Sequence, residues 1–268
     1  MLFAVFLLAL TCSASGIFHS VNLALHNHTL HPDRQPEAPR CNRTVFRACA
    51  LQYFRNFGFR NVPGGWDYIK KVGENMALEG RRSYEKLCNW DSEFAKCANR
   101  AGPDCFKRDY LETVMKKEDA YIFAQQAAKQ KYECTSGRKV LWNNWVCIMS
   151  AMCVHRHDSD ACTAAFIRDI KKHPQRACQL TDRLLSCISI PFGRDCGKAV
   201  GRFACKDLYI LMHTTFPQCP MHCPKFDDSD GEQSENLMEF DEFVPRDIDL
   251  SDNRVENDDL STFNDLAF

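Results

Sequence analysis

Ten residues, CVHRHDSDAC from Cys153 to Cys162, crowd His155, His157, Asp158 and Asp160 between two cysteines. An imidazole beside a carboxylate is the pairing that activates water for hydrolysis, and the same side chains are metal ligands. On a helix, however, His155 and His157 would stand ~200° apart and converge only in an extended loop. A solvated polar helix end explains the segment more simply. His26, His28 and His31, with His19 further upstream, are spaced closely enough in a flexible segment to take copper or zinc weakly, but read as coincidence. Cys219-Pro220-Met221-His222-Cys223 offers metal-binding thiolates only where they stay reduced. No G-x-S-x-G, H-E-x-x-H, Walker or dinucleotide fingerprint occurs, so hydrolase, zincin and nucleotide chemistry lack their usual groups. No catalytic, cofactor-binding or metal-ligating residue is assigned, and the chain reads as a non-enzyme without cofactor.

The cysteines carry a stronger message. Of sixteen in 268 residues, Cys12 lies in the N-terminal apolar region. The other fifteen are Cys41, Cys49, Cys88, Cys97, Cys105, Cys134, Cys147, Cys153, Cys162, Cys178, Cys187, Cys196, Cys205, Cys219 and Cys223, about 8% of the stretch they span. That density marks a disulfide scaffold. No C-x-x-C pair occurs, which argues against zinc ribbons and thioredoxin-type redox chemistry. Fifteen is odd, so one cysteine is expected to stay unpaired or to bridge to another chain, as in a disulfide-linked homodimer.

Oxidised sulfur implies export. Residues Leu2 to Leu10, LFAVFLLAL, have the length of a signal-peptide core and fall short of the ~20 residues that span a bilayer. The small residues of TCSASG follow. The chain therefore divides into a signal peptide over 1–16, an extended leader over 17–40, a cysteine-rich body over 41–223 and an acidic tail over 224–268. No membrane span is expected, and the mature protein is secreted. Asn27-His28-Thr29 and Asn42-Arg43-Thr44 are sequons for N-glycosylation,.

The body reads as all-α: a disulfide-stapled helical bundle with disordered ends. Val200, Phe203, Ala204, Leu208 and Leu211 form one helical stripe, and Tyr121, Ala124, Ala128 and Tyr132 another,. Leu141 to Val154 is apolar nearly all round, the pattern of a central buried helix. Breaks are expected at Pro63-Gly64-Gly65, Ala101-Gly102-Pro103, Ser136-Gly137 and Pro191-Phe192-Gly193. A faint repeat relates 88–134 to 178–219, with Asp104 and Asp195 each preceding the third cysteine of its copy,. On one helix Cys178 and Cys187 would lie on opposite faces, ~13.5 Å apart. A disulfide needs Cα atoms within about 7 Å, so each must tie its helix to a different neighbour. The same holds for Cys88 and Cys97.

The C-x8-C-x8-C-G spacing of the second copy resembles secreted nematode and other invertebrate cysteine-rich domains of unknown function, including a chondroitin-proteoglycan-like group. That resemblance implies a secreted helical disulfide domain with no established catalytic residues. Set against secreted phospholipase A2, the His157-Asp158 pair lacks the double cysteine at the required distance and has no cysteine-bearing calcium loop upstream.

Charge is divided unequally along the chain. From Phe226 to Phe268 there are fifteen acidic and two basic residues, whereas Ile17 to Lys225 carries a net charge of +12. Such a body attracts polyanions: a sulfated glycan or an acidic protein surface, with no nucleic acid partner foreseen. Arg168, Lys171, Lys172 and Arg176 are the first candidates to bind them. Arg81 with Arg82, and Lys116, Lys117 and Lys129, are further clusters. The resulting expectation is a secreted, cysteine-rich, non-enzymatic glycoprotein that binds or builds extracellular material. A hormone-like signalling ligand is the alternative, and a phospholipase-like hydrolase is the weakest reading.

Overall fold

Helices start where orphan backbone amides find a cap and stop where the hydrogen-bond ladder is broken. The computed structural model describes residues 40–226 and holds ten α-helices and one 3-10 turn, with no strand among the described residues; of the helices only the first has a side-chain cap, from Asn42. The helices are α1 (Arg43–Arg55), α2 (Gly65–Glu79), α3 (Arg81–Asn99), α4 (Arg108–Leu111) and α5 (Lys117–Cys134). After them come α6 (Arg138–Asn143), α7 (Trp145–Val154), α8 (Arg156–Lys172), α9 (Ala177–Cys196) and α10 (Lys198–Thr215), the turn Pro174–Arg176 lying between α8 and α9. The protein is all-α. The expected signal peptide, the expected leader up to residue 39 with Asn27, and the acidic tail beyond Phe226 lie outside the described residues.

Seven disulfides staple the helices: Cys41–Cys105, Cys49–Cys97, Cys88–Cys134, Cys147–Cys196, Cys162–Cys187, Cys178–Cys219 and Cys205–Cys223. Cys153 is disulfide-bonded too, and no described cysteine is free. The odd count of the body thus falls on Cys153. The opposite-face argument holds for both helices. On α9, Cys178 reaches Cys219 beyond α10 while Cys187 reaches Cys162 on α8. On α3, Cys88 reaches Cys134 at the end of α5 while Cys97 reaches Cys49 on α1. The six cysteines from Cys41 to Cys134 bond first to fifth, second to fourth and third to sixth. Cys147, Cys162, Cys178, Cys187, Cys196 and Cys219 repeat that order.

Two expectations fail, for physical reasons. The apolar run 141–154 is not a central helix. Asn144 separates α6 from α7, and within α7 only Ile148 and Ala151 are buried, while Val146 and Val154 are 80% and 67% exposed. α7 packs mainly on α8 and α9, which cover one side of it. The central helix is α5, surrounded by α2, α3, α4, α6 and α10. Its buried residues include Tyr121, Gln125, Gln130, Tyr132 and Glu133, whereas Ala124 and Ala128 are only partly covered. Hydropathy could not reveal a buried face so rich in polar side chains.

The break expected at Pro191 is absent, because α9 runs through it to Cys196. Disulfides at Cys187 and Cys196 hold the helix on either side of the proline. Beyond it, Gly193 of α9 faces Gly201 of α10, and a Cβ on Gly201 would stand 2.7 Å from the Gly193 Cα. The Phe226 ring lies over both glycines. The missing side chains therefore let two helices and a ring meet at one crossing.

Three apolar clusters fill the bundle. One, rich in aromatics, joins α1, α2 and α3 to α5, α6, α7, α9 and α10. A second gathers α8, α9, α10 and residues 216–221, and a third holds α1, α3 and α5 around the short α4.

Candidate functional site

The structure brings Arg168, Lys171 and Lys172 onto one exposed face at the C-terminal end of α8, opposite its buried Phe166 and Ile170. Arg176 follows, exposed, in the next turn. Part of this charge is already engaged. Arg168 Nε sits 3.2 Å from Asp169 Oδ1, and Arg176 Nε donates to Gln179 Oε1 at 2.9 Å. Cations in the last turn of a helix also complement its dipole. Lys129 does not belong to the surface charge at all. It is an interior residue of α5, paired with Glu133 and, at 3.4 Å, with Asp207 of α10.

A better organised basic site lies where α3 begins and α6 passes it. Gly80 adopts φ 57°, a left-handed turn that suits glycine and sets Arg81 at the start of α3. Arg81 Cζ stands 5.7 Å from the centre of the Trp142 ring, and Arg138 Cζ stands 5.2 Å from it. The indole is fixed in turn: its Nε1 donates to Glu85 Oε1 at 3.0 Å, and Tyr84 and Trp145 each pack edgewise on it. Arg81 pairs with Glu85 at 3.1 Å, whereas Arg138 has no carboxylate partner among the described residues. A guanidinium stacked on an aromatic ring keeps its planar fork of donors for an anion while losing little freedom on binding. Arg138 and Trp142 are an i, i+4 pair and were legible as such. Arg81 joins them from 61 residues away, which no local pattern reveals.

The His157-Asp158 pair is exposed, and the buried histidine is His155, two residues earlier. His155 Nε2 lies 2.5 Å from Asp195 Oδ2, and Nδ1 lies 3.5 Å from Asp158 Oδ2. The ring thus joins the start of α8 to the end of α9, with a carboxylate near each of its nitrogens. Hydrogen bonding to Arg194 and then to His155 holds the Asp195 carboxyl below the usual range. Asp104, its counterpart before Cys105, accepts from the Arg40 backbone amide at 2.8 Å. Among the described residues, no group of three or more His, Cys, Asp or Glu is placed to hold a metal ion.

No family model, curated protein or solved structure matches this chain.

Asn42 is exposed and caps α1, its Oδ1 accepting from the Val45 amide at 3.1 Å. The cap uses Oδ1 and leaves Nδ2, the atom of N-glycosidic linkage, uncommitted,. The remaining conspicuous groups are interior. The Tyr53 hydroxyl contacts both Tyr68 and Asp91 at 2.5 Å, and Gln130 donates to Tyr68 at 2.7 Å. Burial pushes the Asp91 carboxyl up to about 7, against the Tyr53 hydrogen bond, with Glu133 adding to the rise. Beside it, Tyr84 donates to Glu133. Burial alone would lower the Lys129 ammonium, but Asp207 and Glu133 outweigh it and raise it. These groups are satisfied chiefly by one another and bind α5 to α2, α3 and α10.

Proposed function

We propose that this chain is an extracellular, non-enzymatic binding protein whose disulfide-stapled body takes polyanions, sulfated glycans first among them. Seven disulfides in one helical body fit an oxidising, extracellular compartment,. No helix among the described residues is long and apolar enough to cross a membrane. The observation that carries the finer part is Arg138 stacked on Trp142 beside Arg81. It sits in a segment, residues 40–226, with thirty-one lysines and arginines against eighteen aspartates and glutamates. Sulfate groups along a glycan can bridge two guanidinium groups held on one ring, and the exposed cations of α8 extend the field.

Heparin chromatography of the full secreted chain tests this. Retention is expected at low salt, weakening steeply above ~0.15 M, where the screening length falls to about 8 Å. Arg81→Ala with Arg138→Ala should lower the eluting salt more than Arg168→Ala with Lys171→Ala and Lys172→Ala. Passage of the unmodified chain without retention at ~0.1 M salt would falsify the reading.

A further inference from the structure

The face between α1 and α3 holds a groove of about 330 Å³ that none of the preceding chemistry uses. Its walls are facing i, i+3, i+4, i+7 stripes: Cys49, Gln52 and Tyr53 on α1 with its C-cap Asn56, and Trp90, Glu93, Phe94 and Cys97 on α3 with its C-cap Arg100. The Cys49–Cys97 bond joins the two walls and fixes their separation. The apolar side is rigid. Tyr53 stacks on Phe94 with ring centres 4.7 Å apart, and Trp90 packs edge-on to Phe57 at 5.1 Å. Because the Tyr53 hydroxyl is committed to Tyr68 and Asp91, the groove meets its ring carbons.

The polar side is the opposite case. Gln52, Asn56, Glu93 and Arg100 are exposed around the same groove. Their side chains make no hydrogen bond or ion pair among the described residues, so their planar donors and acceptors are free to meet a ligand beside the aromatic rings. A ligand that satisfies both sides needs an apolar face for the rings and an edge of closely spaced hydroxyls. A pyranose ring has this form: its axial C–H face lies on aromatic carbon, and its equatorial hydroxyls suit amide, carboxylate and guanidinium groups. The volume falls at the small end of the range for small-molecule pockets.

We propose that this groove is a lectin-like site for one or two pyranose residues of a neutral glycan, with Trp90 and Phe94 as the platform and Gln52, Asn56, Glu93 and Arg100 reading the hydroxyls. The site lies apart from Trp142 and does not rest on the polyanion reading. The test presents the full secreted chain to an array of neutral hexose- and N-acetylhexosamine-terminated oligosaccharides in ~1 M salt, where the screening length is ~3 Å and attraction to sulfate is removed. Saturable capture is expected. Gln52→Ala and Glu93→Ala, both at exposed positions, should each weaken it about tenfold or more, equivalent to ~1.4 kcal/mol, with thermal unfolding unchanged. Trp90→Ala should abolish it. Arg81→Ala with Arg138→Ala should leave it intact. Absence of capture, or capture that Gln52→Ala and Glu93→Ala leave unchanged, overturns the assignment whatever heparin does.

Discussion

At the scale of single residues, the informative side chains are polar ones taken out of water. Asp91 Oδ2 is buried without a hydrogen-bond partner, and the carboxyl is pushed up to about 7. Its folded value therefore lies above the value of an unfolded aspartate. Between about pH 4 and pH 7 the folded chain holds a proton that the unfolded chain has released, so stability falls as pH rises through that window. The loss should be on the order of 2–4 kcal/mol by the usual conversion of pKa differences. Asp91→Asn keeps an acceptor for Tyr53 and carries no charge. Urea denaturation at pH 4.5 and pH 8 should show a flatter pH profile for it and a gain in stability at pH 8. A variant less stable than the parent at both pH values would contradict the argument. Neither Asp91 nor Lys129 was distinguishable in the sequence from a surface charge. Only the neighbours brought by α1, α2 and α10 make them interior groups.

At the scale of elements, the crossing of α9 and α10 depends on having no side chains at Gly193 and Gly201. Phe226 can turn aside from an added methyl, but the Gly193 Cα is backbone and cannot. Gly201→Ala should cost ~1–3 kcal/mol through overpacking, read as a lowered thermal midpoint. Helix propensity alone would make alanine the better residue there. A proline and a glycine two residues apart, Pro191 and Gly193, signal a break, yet α9 continues through them and is tied to α7 and α8 by disulfides on either side. The apolar run 141–154 misled for the converse reason. Apolar residues permit burial without supplying the neighbour that covers them.

At the scale of the whole molecule, charge is distributed by segment, and its reach is longer than any contact. Residues 227–268 carry fifteen acidic and two basic residues against the excess of cations in residues 40–226. Ending the chain after Phe226 removes that counter-field, so heparin should elute at higher salt than with the full chain, most visibly near ~0.1 M where the screening length is ~10 Å. Equal elution salts would show that the two segments act on an anion independently. Removing a staple should be felt through the unfolded chain. Replacing Cys178 and Cys219 together by alanine should cost ~2–5 kcal/mol, measurable as an earlier urea midpoint.

By itself the sequence determined the helical class, the disulfide-rich body, the segregation of charge and the rule that Cys88/Cys97 and Cys178/Cys187 must tie different neighbours. Each of these follows from composition or from a fixed rotation per residue. Tertiary structure alone decided which cysteines pair, that α5 and not residues 141–154 runs through the centre, that Arg81 meets Trp142, and that α1 and α3 leave a groove between facing stripes. Those outcomes require elements tens of residues apart to be placed within a few ångströms. Local periodicity specifies which face of a helix can be buried, but not which partner arrives to bury it.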